Sequence, residues 1–145
     1  MRLSPHFTLA EFVTSQEAAR RGIDNTPGPD VVDRLRRTAT GLEAVRIRLG
    51  GAPIIVTSGY RSSELNRAIG GAANSQHMRG EAADIICPAF GGPVEVAAAL
   101  RDSGIEYDQL ILEYGRWVHV AFSDRPRHMA LIIDKAGTRP MWNAA

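Results

Sequence analysis

The chain has 145 residues, of which 44% are hydrophobic and 23% charged, and its formal net charge is +1. That length fits one domain, able to bury roughly 70% of its unfolded surface without a disulfide or a structural metal. Near-neutral charge argues against a nucleic-acid partner, which asks for a dense basic footprint, and no 18-residue apolar run supports membrane insertion.

The first helix signal is Thr8-Leu9-Ala10-Glu11, a capping box, with Phe7 and Phe12 placed as a hydrophobic staple. A second short helix is expected over Gln16 to Arg21. Gly22 to Pro29 holds glycines and prolines and reads as a loop. Pro29 suits the first position of the next helix. Val31, Val32, Leu35, Ala39, Leu42, Val45 and Leu49 then recur at steps of three and four, and Gly50-Gly51 ends the pattern.

Pro53 to Thr57 is short and β-branched, so a strand is expected. Ser62 to Ile69 predicts a short helix, Gly71 to Gly80 a loop, and Ala82 to Cys87 a buried strand. Pro93 to Asp102 predicts another helix. Asp108 to Tyr114 and Trp117 to Phe122 predict a hairpin across Gly115-Arg116, and Met129 to Ile133 a last strand. Helices followed by hairpin-linked strands indicate an α+β fold with a mainly antiparallel sheet flanked by helices. A single domain over 1–145 is expected, with an N-terminal helical segment at 1–28 and a core at 29–135.

Cys87 is the only cysteine. It excludes an internal disulfide and a multi-cysteine zinc cluster, and in Ile85-Ile86-Cys87 it reads as an inert core thiol. Met1 to Phe7 lacks an apolar core of signal-peptide length. The chain is therefore expected to be made in the cytoplasm without an export address.

Chemistry concentrates at two of the four histidines. His77 lies in Ser75-Gln76-His77-Met78-Arg79-Gly80, where Gly80 permits a sharp bend into a strand. Asp84 interrupts that strand between Ala82-Ala83 and Ile85-Ile86. A buried carboxylate needs a strong partner: an arginine, a set of backbone N–H groups or a metal. His119 sits in Trp117-Val118-His119-Val120-Ala121-Phe122, where alternation puts Trp117, His119 and Ala121 on one face. His6 and His128 read as surface residues without a role.

His77-x6-Asp84 followed by the Trp117-x-His119 strand, and preceded by Ser58-Gly59-Tyr60-Arg61-Ser62, resembles the M15 family of zinc peptidases. These are D,D-carboxypeptidases, D,D-dipeptidases and L-alanyl-D-glutamate endopeptidases, and the likeness is greatest to the small phage and prophage branch. It runs from Phe7-Thr8-Leu9-Ala10-Glu11-Phe12 through Gly22-Ile23-Asp24-Asn25 to about Phe122. The resemblance implies a Hedgehog/D,D-peptidase-like fold, one zinc ion (Zn2+) on His77, Asp84 and His119, and hydrolysis of a peptide bond in peptidoglycan stem peptides. Two imidazoles and a carboxylate leave the fourth position open, as a catalytic zinc requires.

Arg61 matches the family's arginine and implies a grip on a substrate carboxylate or on the oxyanion; a salt bridge tying strand to helix is its structural alternative. Ser75 and Gln76 are candidate substrate contacts or loop stabilisers. Trp117 is a core or pocket-wall residue that also suits a sugar. Many relatives carry an acid three residues before the last histidine ligand, and Arg116 stands there instead. The nearest acid is Glu113, expected as general base, with Asp108 in reserve. A loop over Gly115 to Trp117 pairs Glu113 with His119 on one face, whereas a two-residue loop at Gly115-Arg116 loses that face.

Two other functions compete. One is a phage virion or tail protein that binds the wall with little or no turnover, for which Arg116 is the motive. The other is a zinc-free domain in which Asp84 pairs with Arg61. The expected partners are a stem peptide and phage tail or virion proteins. The expected site of action is the bacterial cell wall, reached by holin-type release or in the virion.

Overall fold

A computed structural model describes residues 1–142. Its backbone is organised by the helix α3, Pro29–Arg48, which has proline in its first turn and buries Leu35, Thr38, Ala39, Leu42 and Val45 along one face. Those positions recur at three and four residues, the period that lines up one side of a helix. The buried face packs into one core with Ala83, Ile85, Val118 and Val120 of the sheet and with Phe122 just beyond it. Gly41 lies against the Phe122 ring, where no methyl group fits.

Two short strands, β1 (Arg2–Ser4) and β2 (Phe7–Thr8), pair with each other ahead of the helices α1 (Leu9–Val13) and α2 (Gln16–Arg21). The N-terminal segment is thus not purely helical, because such short strands leave too little alternation to read. The expected capping box is built: the Glu11 carboxylate accepts from the Thr8 N–H and hydroxyl at 3.0 and 3.1 Å. Phe7 and Phe12 close the staple with ring centres 6.1 Å apart.

The sheet has six strands in the order β3-β4-β6-β5-β7-β8. They are β3 (Ile55–Ser58), β4 (Ala82–Ile86), β5 (Gln109–Glu113), β6 (Trp117–Ala121), β7 (Met129–Asp134) and β8 (Gly137–Pro140). All adjacent pairs are antiparallel except β5 and β7. The helices α4 (Ser63–Ala68) and α5 (Pro93–Arg101) complete the α+β architecture.

Three expectations shift. The strand expected from Pro53 starts at Ile55 and ends at Ser58, since proline lacks the N–H that a ladder uses. The expected loop from Gly71 to Gly80 contains a 3-10 turn over Gln76–Arg79, too short to show a period. The sheet also gains a last strand, β8, beyond the expected ones. Gly137-Thr138-Arg139-Pro140 is exposed throughout and has no alternating apolar side chains, so no apolar pattern marks it.

The helix α3 also holds the segment that carries the chemistry. The Thr38 hydroxyl donates to the Gly80 carbonyl at 2.7 Å, the Arg34 Nε–H to the Arg79 carbonyl, and Arg37 to the Glu81 carboxylate at 3.2 Å. Gly80 has φ +78°, and a Cβ there would press on the Val31 carbonyl. The sharp bend into β4 therefore needs glycine both for its backbone and for its contact.

Candidate metal centre

The site is set by strand register. Antiparallel pairing puts Asp84 of β4 directly opposite His119 of β6. Directly opposed residues share a face with their Cβ atoms close together. His77 reaches the same point from the 3-10 turn, whose start is capped by the Ser75 hydroxyl accepting from the His77 N–H at 3.2 Å. The Arg61 N–H donates to the His77 carbonyl at 3.2 Å. One ligand atom from each of His77, Asp84 and His119 lies within 4.8 Å of the other two.

Asp84 Oδ1 sits 3.2 Å from His77 Nε2 and 3.1 Å from His119 Nδ1. A tetrahedral zinc with bonds of about 2.0–2.2 Å spaces its ligands roughly 3.3–3.6 Å apart, so the donor set fits one ion. The His77 tautomer agrees. His77 Nδ1 lies 2.6 Å from the Gly59 carbonyl, which only accepts, so Nδ1 carries the hydrogen and donates. In the neutral ring Nε2 is then a bare lone pair facing a carboxylate oxygen. Two acceptors at that distance call for a cation between them. Burial pushes His77 below the ordinary histidine value against the pull of Asp84, which disfavours a second proton on the ring.

Glu113 lies beside this cluster, with Oε1 3.9 Å from His119 Nδ1. The hairpin loop is neither of the two expected. It spans Tyr114, Gly115 and Arg116, so Glu113 pairs with Trp117 while Ile111 pairs with His119. Glu113 is one step of two residues from the His119 pair and keeps its face. Burial, then the charge of Asp84, raises its carboxyl above the ordinary glutamate value. The Trp117 indole N–H is close enough to moderate that rise, yet it closes no hydrogen bond of ordinary geometry.

Arg61 lines the cleft with Ser75, Gln76, His77, Glu113 and Trp117. Its Nη2 donates to the Ser75 hydroxyl at 3.3 Å, and its buried Nε has no partner. Burial lowers the guanidinium's pKa, and the charges of Asp84 and Glu113 oppose that. Among the described residues Arg61 makes no ion pair with Asp84, whose carboxylate meets the two imidazoles instead.

Asp108, the reserve base, is committed elsewhere. It accepts from the Arg127 backbone N–H and Nε at 2.9 Å each, from Arg127 Nη2 at 2.7 Å and from Gln76 Nε2 at 2.8 Å. These bonds, first those of the Arg127 side chain, hold its carboxyl far below the usual range. A carboxylate with both oxygens saturated is a poor proton acceptor. Gln76 is tied by the same network, which fixes its amide orientation. The cleft also takes in Asn74, Arg79, Gln109 and Arg127, none of them a candidate from the sequence. Of these, Gln109 had a signal, since alternation puts it on the face of Ile111 and Glu113. His6 and His128 lie apart: His6 pairs with Glu43 at 2.7 Å, and His128 packs on Tyr107. Cys87 is buried in the core.

Two histidines and one aspartate thus converge in an open cleft on an α+β sheet, a donor set that could hold one metal ion. The Peptidase M15 family model matches residues 5–121, and the chain belongs to that family. A stretch of 44 residues is 50% identical to the zinc D-Ala-D-Ala carboxypeptidase of Streptomyces albus G; it covers 30% of this chain and only 17% of that protein.

Proposed function

We propose that this chain is a zinc-dependent peptidase that hydrolyses a peptide bond in peptidoglycan stem peptides. The convergence of His77, Asp84 and His119 in an open cleft carries this reading. Family membership and the likeness to a zinc D-Ala-D-Ala carboxypeptidase support it. In this reading the three side chains hold one zinc ion. When bound, zinc polarises the scissile carbonyl and acidifies a water molecule.

The protein's own groups do the rest. The Gly59 carbonyl accepts the His77 Nδ1–H and so keeps Nε2 free to ligate, the usual outer support of a metal-bound histidine. Glu113 is the general base: its carboxylate takes a proton from the attacking water and passes it to the leaving amine. Its raised pKa brings it nearer to neutrality, where such a group serves best. Arg61, steadied by Ser75, grips a substrate carboxylate or the developing oxyanion. Gln76 positions the cleft wall through Asp108, and Trp117 forms the wall beside Glu113. A lytic or virion-borne enzyme of phage origin, acting at the cell wall, is the finer reading and rests on the resemblance alone.

The test is product analysis by mass spectrometry after zinc-loaded protein meets purified peptidoglycan and synthetic stems ending in D-Ala-D-Ala. A matched pair of new amine and carboxyl ends is expected. Intact stems in the presence of stoichiometric zinc overturn the peptidase reading and leave a wall-binding protein.

A further inference from the structure

A second pocket adjoins the cleft through Trp117. It is lined by Tyr114, Arg116, Trp117, Asp134, Lys135 and Ala136. Two turns at the same end of the sheet build it. Because β7 runs parallel to β5, its following turn lies beside the β5–β6 hairpin tip. The Tyr114 N–H donates to the Ile133 carbonyl at 2.8 Å and locks the two turns together.

The pocket combines aromatic rings with cations. Tyr114 (φ +55°) and Gly115 (φ +65°) are the central residues of the hairpin turn, closed by the Arg116 N–H on the Glu113 carbonyl at 3.0 Å, and this turn leaves the Tyr114 side chain 51% exposed. The Tyr114 ring lies 6.1 Å from that of Trp117, centre to centre, and the two rings form one aromatic wall of the pocket. Arg116 and Lys135 are exposed, and among the described residues neither is in an ion pair. Asp134, the acid of the pocket, is already taken by both arms of Arg139 at 2.9 and 2.8 Å. The pocket therefore pairs an aromatic wall with two uncommitted cations and shares Trp117 with the metal cleft.

We propose that Arg116 and Lys135, with the Tyr114 and Trp117 rings, form an accessory subsite that binds a carboxylate-bearing residue of the stem peptide beside the scissile bond. This rests on the peptidase reading and narrows it to substrates that extend past Glu113 and carry an acid there. A guanidinium and an ammonium match a carboxylate, and the rings cover the aliphatic part of the same residue. Arg116 thereby acquires a role of its own. The position that departs from the family's acid serves substrate binding, while Glu113 supplies the base.

The experiment uses a series of stem peptides in which one carboxylate at a time is replaced by a carboxamide. Their affinity for zinc-loaded Glu113→Gln protein is measured by calorimetry, and their hydrolysis by the parent is followed in parallel. One amidation is expected to weaken binding roughly tenfold, about the worth of one charge-assisted hydrogen bond. Arg116→Gln with Lys135→Gln should erase that difference while zinc content and melting temperature stay unchanged. Equal affinity for all acid and amide forms overturns the subsite, as does a difference that survives the double substitution. Selective binding without hydrolysis by the parent sustains the subsite and sinks the peptidase reading. Absence of binding by every peptide overturns both.

Discussion

Asp84 and His119 are cross-strand partners, and the 3.1 Å between Oδ1 and Nδ1 follows from the register of β4 on β6. A slip of either strand by one residue would turn its ligand to the opposite face of the sheet. His77 enters from outside the sheet, so the centre joins two rigid strands with one tightly capped turn. The packing that holds β4 and β6 in register is the same packing that fixes the Asp84–His119 pair.

Removal of one donor should remove the metal. His77→Ala, Asp84→Ala and His119→Ala are each expected to lose stoichiometric zinc, measured by elemental analysis of protein purified without added metal. Circular dichroism should stay at the parental level, because the core of α3 against the sheet needs no ion. Near-equimolar zinc in all three variants would refute the assignment.

Glu113→Gln should keep zinc and lower kcat by a factor of about 10²–10⁴, the usual worth of a positioned acid–base group. The measurement is turnover of a stem peptide with zinc content determined on the same sample. Parental turnover would move the base elsewhere, and Asp108 is then a poor substitute because Arg127 and Gln76 occupy both its oxygens.

Asp108 leaves its mark on stability instead. Its side chain is 2% exposed and bonded to Arg127, so Asp108→Ala should cost roughly 2–4 kcal/mol. The folded pKa is depressed, first by the Arg127 hydrogen bonds. The unfolded state therefore binds the proton more readily. The contribution is complete above the ordinary aspartate value of about 4 and disappears as pH falls through the lower folded value. Denaturant midpoints measured from about pH 7 down to about pH 2 should fall more steeply for the parent than for Asp108→Asn. Parallel acid limbs would show that the Asp108 charge contributes nothing to the fold.

Gly59 links packing to the metal. A methyl group there would collide with the Phe12 backbone, while the Gly59 carbonyl holds His77 Nδ1–H. Gly59→Ala is expected to destabilise by about 1–3 kcal/mol through overpacking and to weaken zinc affinity by about 10–100-fold through the displaced support. Competition with a chelator reads the second effect apart from melting. Parental zinc affinity in a destabilised variant would reduce the Gly59 carbonyl to a bystander.

Much of this protein is legible in its sequence, for physical reasons. The three- and four-residue steps of α3, the capping box at Thr8 and Glu11, the glycine bend before β4, and the alternation that puts Trp117 with His119 are properties of short stretches of chain. A carboxylate in an apolar strand announces a strong partner because burial without one is costly. What the chain could not declare is which distant groups meet. The hairpin tip begins at Tyr114 rather than Gly115, and that one residue decides that Glu113 pairs with Trp117 while remaining on the metal's face. Asp108 is structural only because the Arg127 segment folds back onto it. Arg116 and Lys135 line one pocket only because β7 lies parallel to β5. Periodicity is local, whereas register and the meeting of turns are settled by the whole sheet.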